Sequence, residues 1–484
     1  MRLTLRRSCA ACAKAKHRCD LQTPRCSRCT KRNTTCVFAN EPLTSKVVSN
    51  GGEHSTKNDT QSPLVGLPGP LLLEDAVIQT TEVSALPLKV GAGFDPFDAY
   101  PQTSLPRMRV QGLIYHFLSK IAFQYYPLDL NPTSNPFVVS WWPLALTDPA
   151  LFHVSLQTAS LDDELLAEKG FPDSQALMAD SVALVRRKVQ NPSLACQDST
   201  MDAVVTLAAI ELGKGNLRAS EMHISGAIRM VQVRGGLQEV NKSSPITARM
   251  IPWVAMIVMG APQFPTQDDA GNGDGVSAIP IWVEFSSEIP PCVYFPEFED
   301  LGIDPLLQKM LSRLQRLFRQ CSAPSSSGYI TEISTTDLHD LTCFVLHRLL
   351  SLPCSPDTPF QSNIISECVR SAMSIYMLII HGPTYYSHAT LLASQVCRLR
   401  GHLLEYPNID GRLNIWFLSI GMVGSQETNM DPWFFDQLIT TALSMGISTW
   451  EEVCTFLKSV LWLDIPRARI FRQLWEEILD NSTR

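Results

Sequence analysis

The tightest constraint on this chain lies near its start, where six cysteines fall at Cys9-x2-Cys12-x6-Cys19-x6-Cys26-x2-Cys29-x6-Cys36. This is the unit C-x2-C-x6-C written twice, with a six-residue bridge between the copies. So short a module holds too little apolar residue to fold by burial alone and needs another source of cohesion. The opening Met1-Arg-Leu-Thr-Leu-Arg-Arg lacks the apolar core of a secretion signal. The expected compartment is therefore reducing, where paired cysteines bind metal or stay thiols and disulfides are the weaker reading. The other cysteines, at 196, 292, 321, 343, 354, 368, 397 and 454, show no such spacing.

Thiolates suit zinc, a borderline-soft ion that prefers four tetrahedral ligands. Six thiolates cannot fill two separate four-ligand sites, so two shared sulfurs and a binuclear cluster follow; one zinc with two spare cysteines is the alternative. The array resembles the fungal Zn(II)2Cys6 binuclear-cluster domain and matches its pattern at every cysteine. That resemblance implies two zinc ions as cofactor, with Cys9 and Cys26 bridging them. It further implies that Cys12 and Cys19 complete one site and Cys29 and Cys36 the other, with a short helix after each C-x2-C and Pro24 in the bridge. Metal binding would then supply the folding free energy, on the order of 10 kcal/mol.

Charge separates this head from the rest. The net charge is −7, yet residues 1–36 hold ten Lys/Arg against Asp20 alone, and residues 37–484 hold 30 basic and 46 acidic residues, a balance of −16. A basic head suits phosphates. Between Cys12 and Cys19 runs Ala13-Lys14-Ala15-Lys16-His17-Arg18. By the resemblance, the end of this segment enters the major groove of double-stranded DNA and reads a CGG triplet. Lys16 matches the base-reading lysine, and Arg18 the basic residue before the third cysteine. Ala13 departs from the many members with a phosphate-contacting arginine there. Arg6, Arg7, Lys14, Arg25, Arg28, Lys31 and Arg32 are candidates for phosphate contacts or are solvated charges. His17 is expected at the groove or in solvent, because six thiolates already satisfy the cluster. The local pattern also resembles the cluster of the aflatoxin-pathway regulator type, which points to control of fungal secondary metabolism; regulation of another pathway stays open.

Residues 1–40 are thus expected as a DNA-binding domain, 41–93 as a flexible linker rich in Ser, Thr, Gly, Asn and Pro, and 94–484 as a large all-α body. The fold class is mainly α. Thr147-Asp148-Pro149 reads as a helix start, and Met178, Val182, Val185 and Val189 as one apolar stripe. Ser199-x-x-Asp202 reads as a capping box ahead of 203–212, and 216–233 as a helix stopped by Gly235-Gly236. Further helices are expected near 302–320, 336–350, 362–381, 386–404, 432–463 and 466–480, with 261–300 irregular. No heptad run follows the cysteines, so a coiled-coil dimer is not encoded there. No run of eighteen apolar residues occurs, and no membrane span is expected.

Three phrases carry a second resemblance: Asp95-Pro-Phe-x-x-Tyr100-Pro101, the stretch from Trp141-Trp142-Pro143 to Phe152-His153, and the stretch from His223 to Arg234-Gly235-Gly236. They look like the fungal-specific transcription factor regulatory region, which implies regulation without naming a ligand. Trp141, Trp142 and Phe152 are expected in the core, and His153 and His223 as structural histidines. No phosphate-loop, dinucleotide, metalloprotease or serine-hydrolase motif occurs, so no enzyme is expected. Trp433-Phe-Phe-Asp436 and Trp475 to Asp480 mix acidic and bulky apolar residues, as activation segments and ordinary terminal helices both do. The reading is a nuclear DNA-binding transcription factor, with a second copy of the chain and transcriptional co-regulators as further partners. A zinc-stabilised protein-interaction adaptor is the alternative.

Overall fold

The computed structural model describes residues 10–15, 27–34, 100–168, 170–285, 302–322, 333–352, 360–406, 409, 411–465 and 467–482. The chain divides into two compact units, Met1–Gly66 and Leu67–Arg484. The expected linker at 41–93 lies outside the described residues. In the first unit, two five-residue helices, α1 (Ala10–Lys14) and α2 (Ser27–Lys31), pack on each other.

The second unit is helical, and among its described residues the one extended pairing is an isolated bridge between Thr266 and Val276. Helix α3 (Arg107–His116) passes through a π-helical turn at Phe117–Ile121 into α4 (Ala122–Tyr125), and a second π turn, Phe137–Trp141, leads into α5 (Trp142–Thr147). Six helices follow: α6 (Pro149–Ala167), α7 (Pro172–Gln190), α8 (Asp198–Gly213), α9 (Leu217–Arg234), α10 (Leu237–Ser243) and α11 (Pro245–Met259). Beyond an irregular stretch come α12 (Pro280–Glu284), α13 (Pro305–Ser322), α14 (Thr335–Ser351), α15 (Phe360–His381) and α16 (Ala389–Glu405). The last are α17 (Gly411–Glu427), α18 (Trp433–Met445), α19 (Trp450–Val460) and α20 (Ala468–Ser482).

Local chemistry sets several of these boundaries. Asp148 caps α6, its Oδ1 accepting from the backbone N–H groups of Ala150 at 3.0 Å and Leu151 at 3.1 Å, with Pro149 in the first turn. Its Oδ2 pairs with Lys188 and accepts from the Ser199 hydroxyl at 2.7 Å, so one carboxylate ties α6 to α7 and α8. Burial works against its ionisation, but the Lys188 and Ser199 hydrogen bonds hold it below the ordinary carboxyl range. Gly235, at φ 98°, ends α9 in the left-handed conformation, and a Cβ on Gly236 would sit 2.5 Å from the Asp274 carboxylate.

Four sequence readings need correction. Ser199 and Asp202 form no capping box: Gln197 precedes α8 without a side-chain cap, Ser199 is spent on Asp148, and both Asp202 oxygens are buried without a hydrogen-bond partner. The buried face of α7 is Ser174, Leu177, Ser181 and Val185, while Val182 and Val189 are 36% and 43% exposed. Ser181 is tolerated in the core because Gln157 of α6 accepts from its hydroxyl at 3.2 Å, and the same amide donates to the Ser174 backbone carbonyl at 3.1 Å. The expected single stretch 432–463 is two helices, broken where Gly446 adopts φ 65° and Thr449 and Glu452 form a capping box for α19. Helix α17 was not foreseen, because it is apolar on every face and shows no period.

The core explains that pattern. Helix α8 packs on α6, α9 and α11, and α17 on α15, α16, α18 and α19, so α8 and α17 are surrounded. Gly421 and Gly424 allow the approach: a Cβ on Gly421 would lie 2.2 Å from the Phe434 ring, and one on Gly424 2.8 Å from Val396. The segment Ile364–His381 is long and apolar enough to cross a membrane by length and composition, but 94% of it is buried inside the body. Trp141, Trp142 and Phe152 lie in the core as expected, with Trp141 Nε1 donating to Ser155 Oγ at 2.9 Å. In the C-terminal tail, Trp475 and Ile478 are buried, and Trp475 Nε1 donates to Ser419 at 3.1 Å, so this face of the tail serves packing.

The irregular stretch is anchored by Asp269, which lies 2.7 Å from Lys309 and 2.9 Å from Arg313 and also pairs with Arg348. Burial opposes its ionisation, yet the Lys309 and Arg348 contacts hold the acid well below its usual range. Arg313, its side chain 1% exposed, lies over the Trp282 ring at 4.6 Å.

Candidate metal centre and nucleic-acid interface

Isolated helices of five residues do not persist in water, since they are far below the ~12 residues at which even good helix formers become marginal. Helices α1 and α2 nevertheless form and pack together. Each buries the cysteine at its third position: Cys12 in α1 and Cys29 in α2 are both 2% exposed. They are the second cysteine of their respective C-x2-C pairs, so the sequence repeat is also a structural repeat. The helices begin inside the cysteine pairs, a few residues earlier than the resemblance implied.

Among the described side chains of this unit no other is buried, and none is aromatic or large aliphatic. Two thiol side chains turned inward are donors that suit a thiophilic ion, and cohesion supplied by metal fits helices whose described side chains offer no apolar core. Cys9, Cys19, Cys26 and Cys36 lie outside the described residues, as does Pro24.

The outer surface carries the charge. Lys14 and Lys31 are exposed at the last positions of α1 and α2, where a cation also complements the helix C-terminus. Arg32 is exposed, Arg28 is half-buried, and no acidic side chain occurs among the described residues of this unit. After α2 the chain turns through Asn33 at φ 49°, and Thr34 N–H donates to the Cys29 carbonyl at 3.1 Å. Arg6, Arg7, Lys16, His17, Arg18 and Arg25 fall outside the described residues.

In the body, His153 is buried with Nδ1 2.7 Å from the Pro149 carbonyl, and the half-buried His223 is pushed down by desolvation. Sequence reading missed a buried cluster around His339, Cys343 and His381. A local signal was present, His339-x3-Cys343, but its third member comes from another helix.

Comparison with known proteins agrees with both halves. Residues 7–46 match the fungal Zn(2)-Cys(6) binuclear cluster domain, and residues 112–261 match the fungal specific transcription factor domain. The geodin cluster transcription factor of Aspergillus terreus is 38% identical over 73 residues, which are 15% of this chain and 32% of that protein. The match thus spans about a third of that relative's length. No solved structure matches the chain. The chain carries a fungal zinc-cluster DNA-binding domain, which binds two zinc ions, and a fungal transcription factor domain in its helical region.

Proposed function

We propose that this chain is a nuclear regulator of transcription that reads CGG-containing promoter sites through its zinc cluster and governs a fungal secondary-metabolite gene cluster. In this reading Cys9 and Cys26 bridge the two zinc ions, Cys12 and Cys19 complete one, and Cys29 and Cys36 the other. Lys16 donates to guanine O6 and N7, and Arg18 supports it at the groove. Lys14 and Lys31, with Arg6, Arg7 and Arg28, hold phosphates and set the register without reading sequence. The observation that carries this is the pair of short helices, each with an inward cysteine and an exposed C-terminal lysine, with no acidic side chain among the described residues of that unit. The secondary-metabolite assignment rests on the likeness of part of the chain to a factor named for a geodin cluster. The match of residues 112–261 to a transcription factor domain supports regulation rather than catalysis as the role of the body.

The test compares two lysines. Lys16→Ala loses about 1–3 kcal/mol on the specific site and flattens discrimination at one base, whereas Lys31→Ala weakens all duplexes alike and lowers the salt slope by about one. Full specificity retained by Lys16→Ala would show that another residue reads the base.

A further inference from the structure

The helical body brings together a second set of metal-type side chains, none of them among the six N-terminal cysteines. His339 and Cys343 stand four residues apart on α14 and therefore share a face. His381 is the last residue of α15, which packs on α14. Cys343 Sγ lies 4.0 Å from Nδ1 of both His339 and His381, and one ligand atom from each residue lies within 4.8 Å of the other two. All three side chains are buried.

Metal–sulfur bonds of about 2.3 Å and metal–nitrogen bonds of about 2.0–2.1 Å, at tetrahedral or trigonal angles, place neighbouring donors about 3.4–3.8 Å apart. The two sulfur–nitrogen separations need to contract by only a few tenths of an ångström to meet that. The rings are already held in place: Tyr126 stacks on His339 with centroids 3.8 Å apart and Trp253 stacks on His381 at 4.0 Å, while Thr342 Oγ1, 2.9 Å from His381 Nδ1, would yield that nitrogen to a bound ion. The other candidate set, His116, Asp162 and Asp163, is occupied by protein cations, since Lys120 pairs with Asp162 and Arg109 with Asp163.

Charge narrows the ion. Asp340 beside the cluster is closed by Arg249, whose Nε reaches its two oxygens at 2.7 and 2.9 Å, and Glu427 pairs with Arg467. Once Cys343 releases its proton, the thiolate is the uncompensated charge. A monovalent cation leaves the buried cluster neutral, whereas a divalent one leaves a net positive charge out of water, which is costly. Thiolate with imidazole is also a ligand set that suits copper and zinc and excludes hard ions.

We propose that His339, Cys343 and His381 form a buried site for a thiophilic d10 cation, with Cu(I) favoured over zinc, linking α14 to α15 in the regulatory body. The test is an anaerobic titration of the zinc-loaded full-length chain with Cu(I) held by a competing chromogenic chelator. The N-terminal thiolates also take Cu(I), so the quantity read is the difference between chains. The wild-type chain should take up one equivalent more than Cys343→Ser and one more than His381→Gln. Cys368→Ser, which removes another buried cysteine of α15, should match wild type. The extra equivalent should also raise the melting temperature of the wild-type body and leave that of His381→Gln unmoved. If metal analysis instead finds a third zinc that depends on Cys343, the site stands and the copper assignment falls. Equal Cu(I) and zinc uptake by wild type, Cys343→Ser and His381→Gln would overturn the site, and His381→Gln gives the answer alone should Cys343→Ser fail to fold.

Discussion

In the head, the one buried residue among the described side chains of each of α1 and α2 is a cysteine; in the body, α8 and α17 bury most of the side chains they carry, almost all of them apolar or small. The first unit therefore depends on an ion for its cohesion, and the second on apolar area excluded from water. The two strategies leave different marks. A metal fixes the identity and spacing of its ligands, so a short sequence declares it. Apolar packing tolerates many solutions, so the body's sequence declares helices but little of their chemistry.

That contrast can be broken most forcefully by removing metal. Chelation of the zinc-loaded, copper-free chain withdraws a term on the order of 10 kcal/mol from the head. Specific DNA binding should be lost, while the body's thermal transition, followed by circular dichroism, stays in place. A body that melted with the head would mean that the two units are not held by separate means. Cys12→Ala and Cys29→Ala should behave as chelation does and lower the zinc content below two.

The reverse experiment loads the body and spares the head. Gly421→Ala pushes a methyl into the Phe434 ring, which lies 2.2 Å from where that carbon would stand. Overpacking of this kind costs about 1–3 kcal/mol, so the body should melt several degrees lower with two zinc ions still bound. An unchanged melting temperature would show that Phe434 has room to move.

A smaller change sharpens the account of the body's interior. Burial pushes the Asp202 carboxyl well above its ordinary range, so the native state holds a proton there that the unfolded chain releases at a lower pH. Stability from this group is fully present below the unfolded value, near 3.9, and is lost as pH rises toward the raised native value. Asp202→Asn should therefore raise the melting temperature at pH 7.5, with the gain shrinking as pH falls toward 4. A variant that destabilised the body at pH 7.5 would mean that the carboxylate is ionised and partnered.

How far the sequence could be read follows the same division. The cysteine repeat announced the cluster because each ligand position is obligatory. The Asp148 cap and the Gly235 stop were legible because one residue and its neighbours settle them. The buried Ser181 of α7 was not, since it counts as polar until Gln157 is placed opposite it. Helix α17 hid because a helix buried on every side has no polar stripe to mark its period. The Asp269 hub and the His339, Cys343 and His381 cluster were invisible for a third reason. Their members come together only through tertiary packing, with Cys343 and His381 separated by 38 positions.

The central claim is that a metal-held head reads DNA sequence. It is tested most directly by titrating the zinc-loaded full-length chain with a CGG-containing duplex and a scrambled duplex of equal length, at physiological salt. Specific readout predicts a preference for the CGG duplex, on the order of 10³ or more for a complete site. Equal affinity for the two duplexes would contradict it and leave the head as a zinc-stabilised adaptor that holds charge but reads no base.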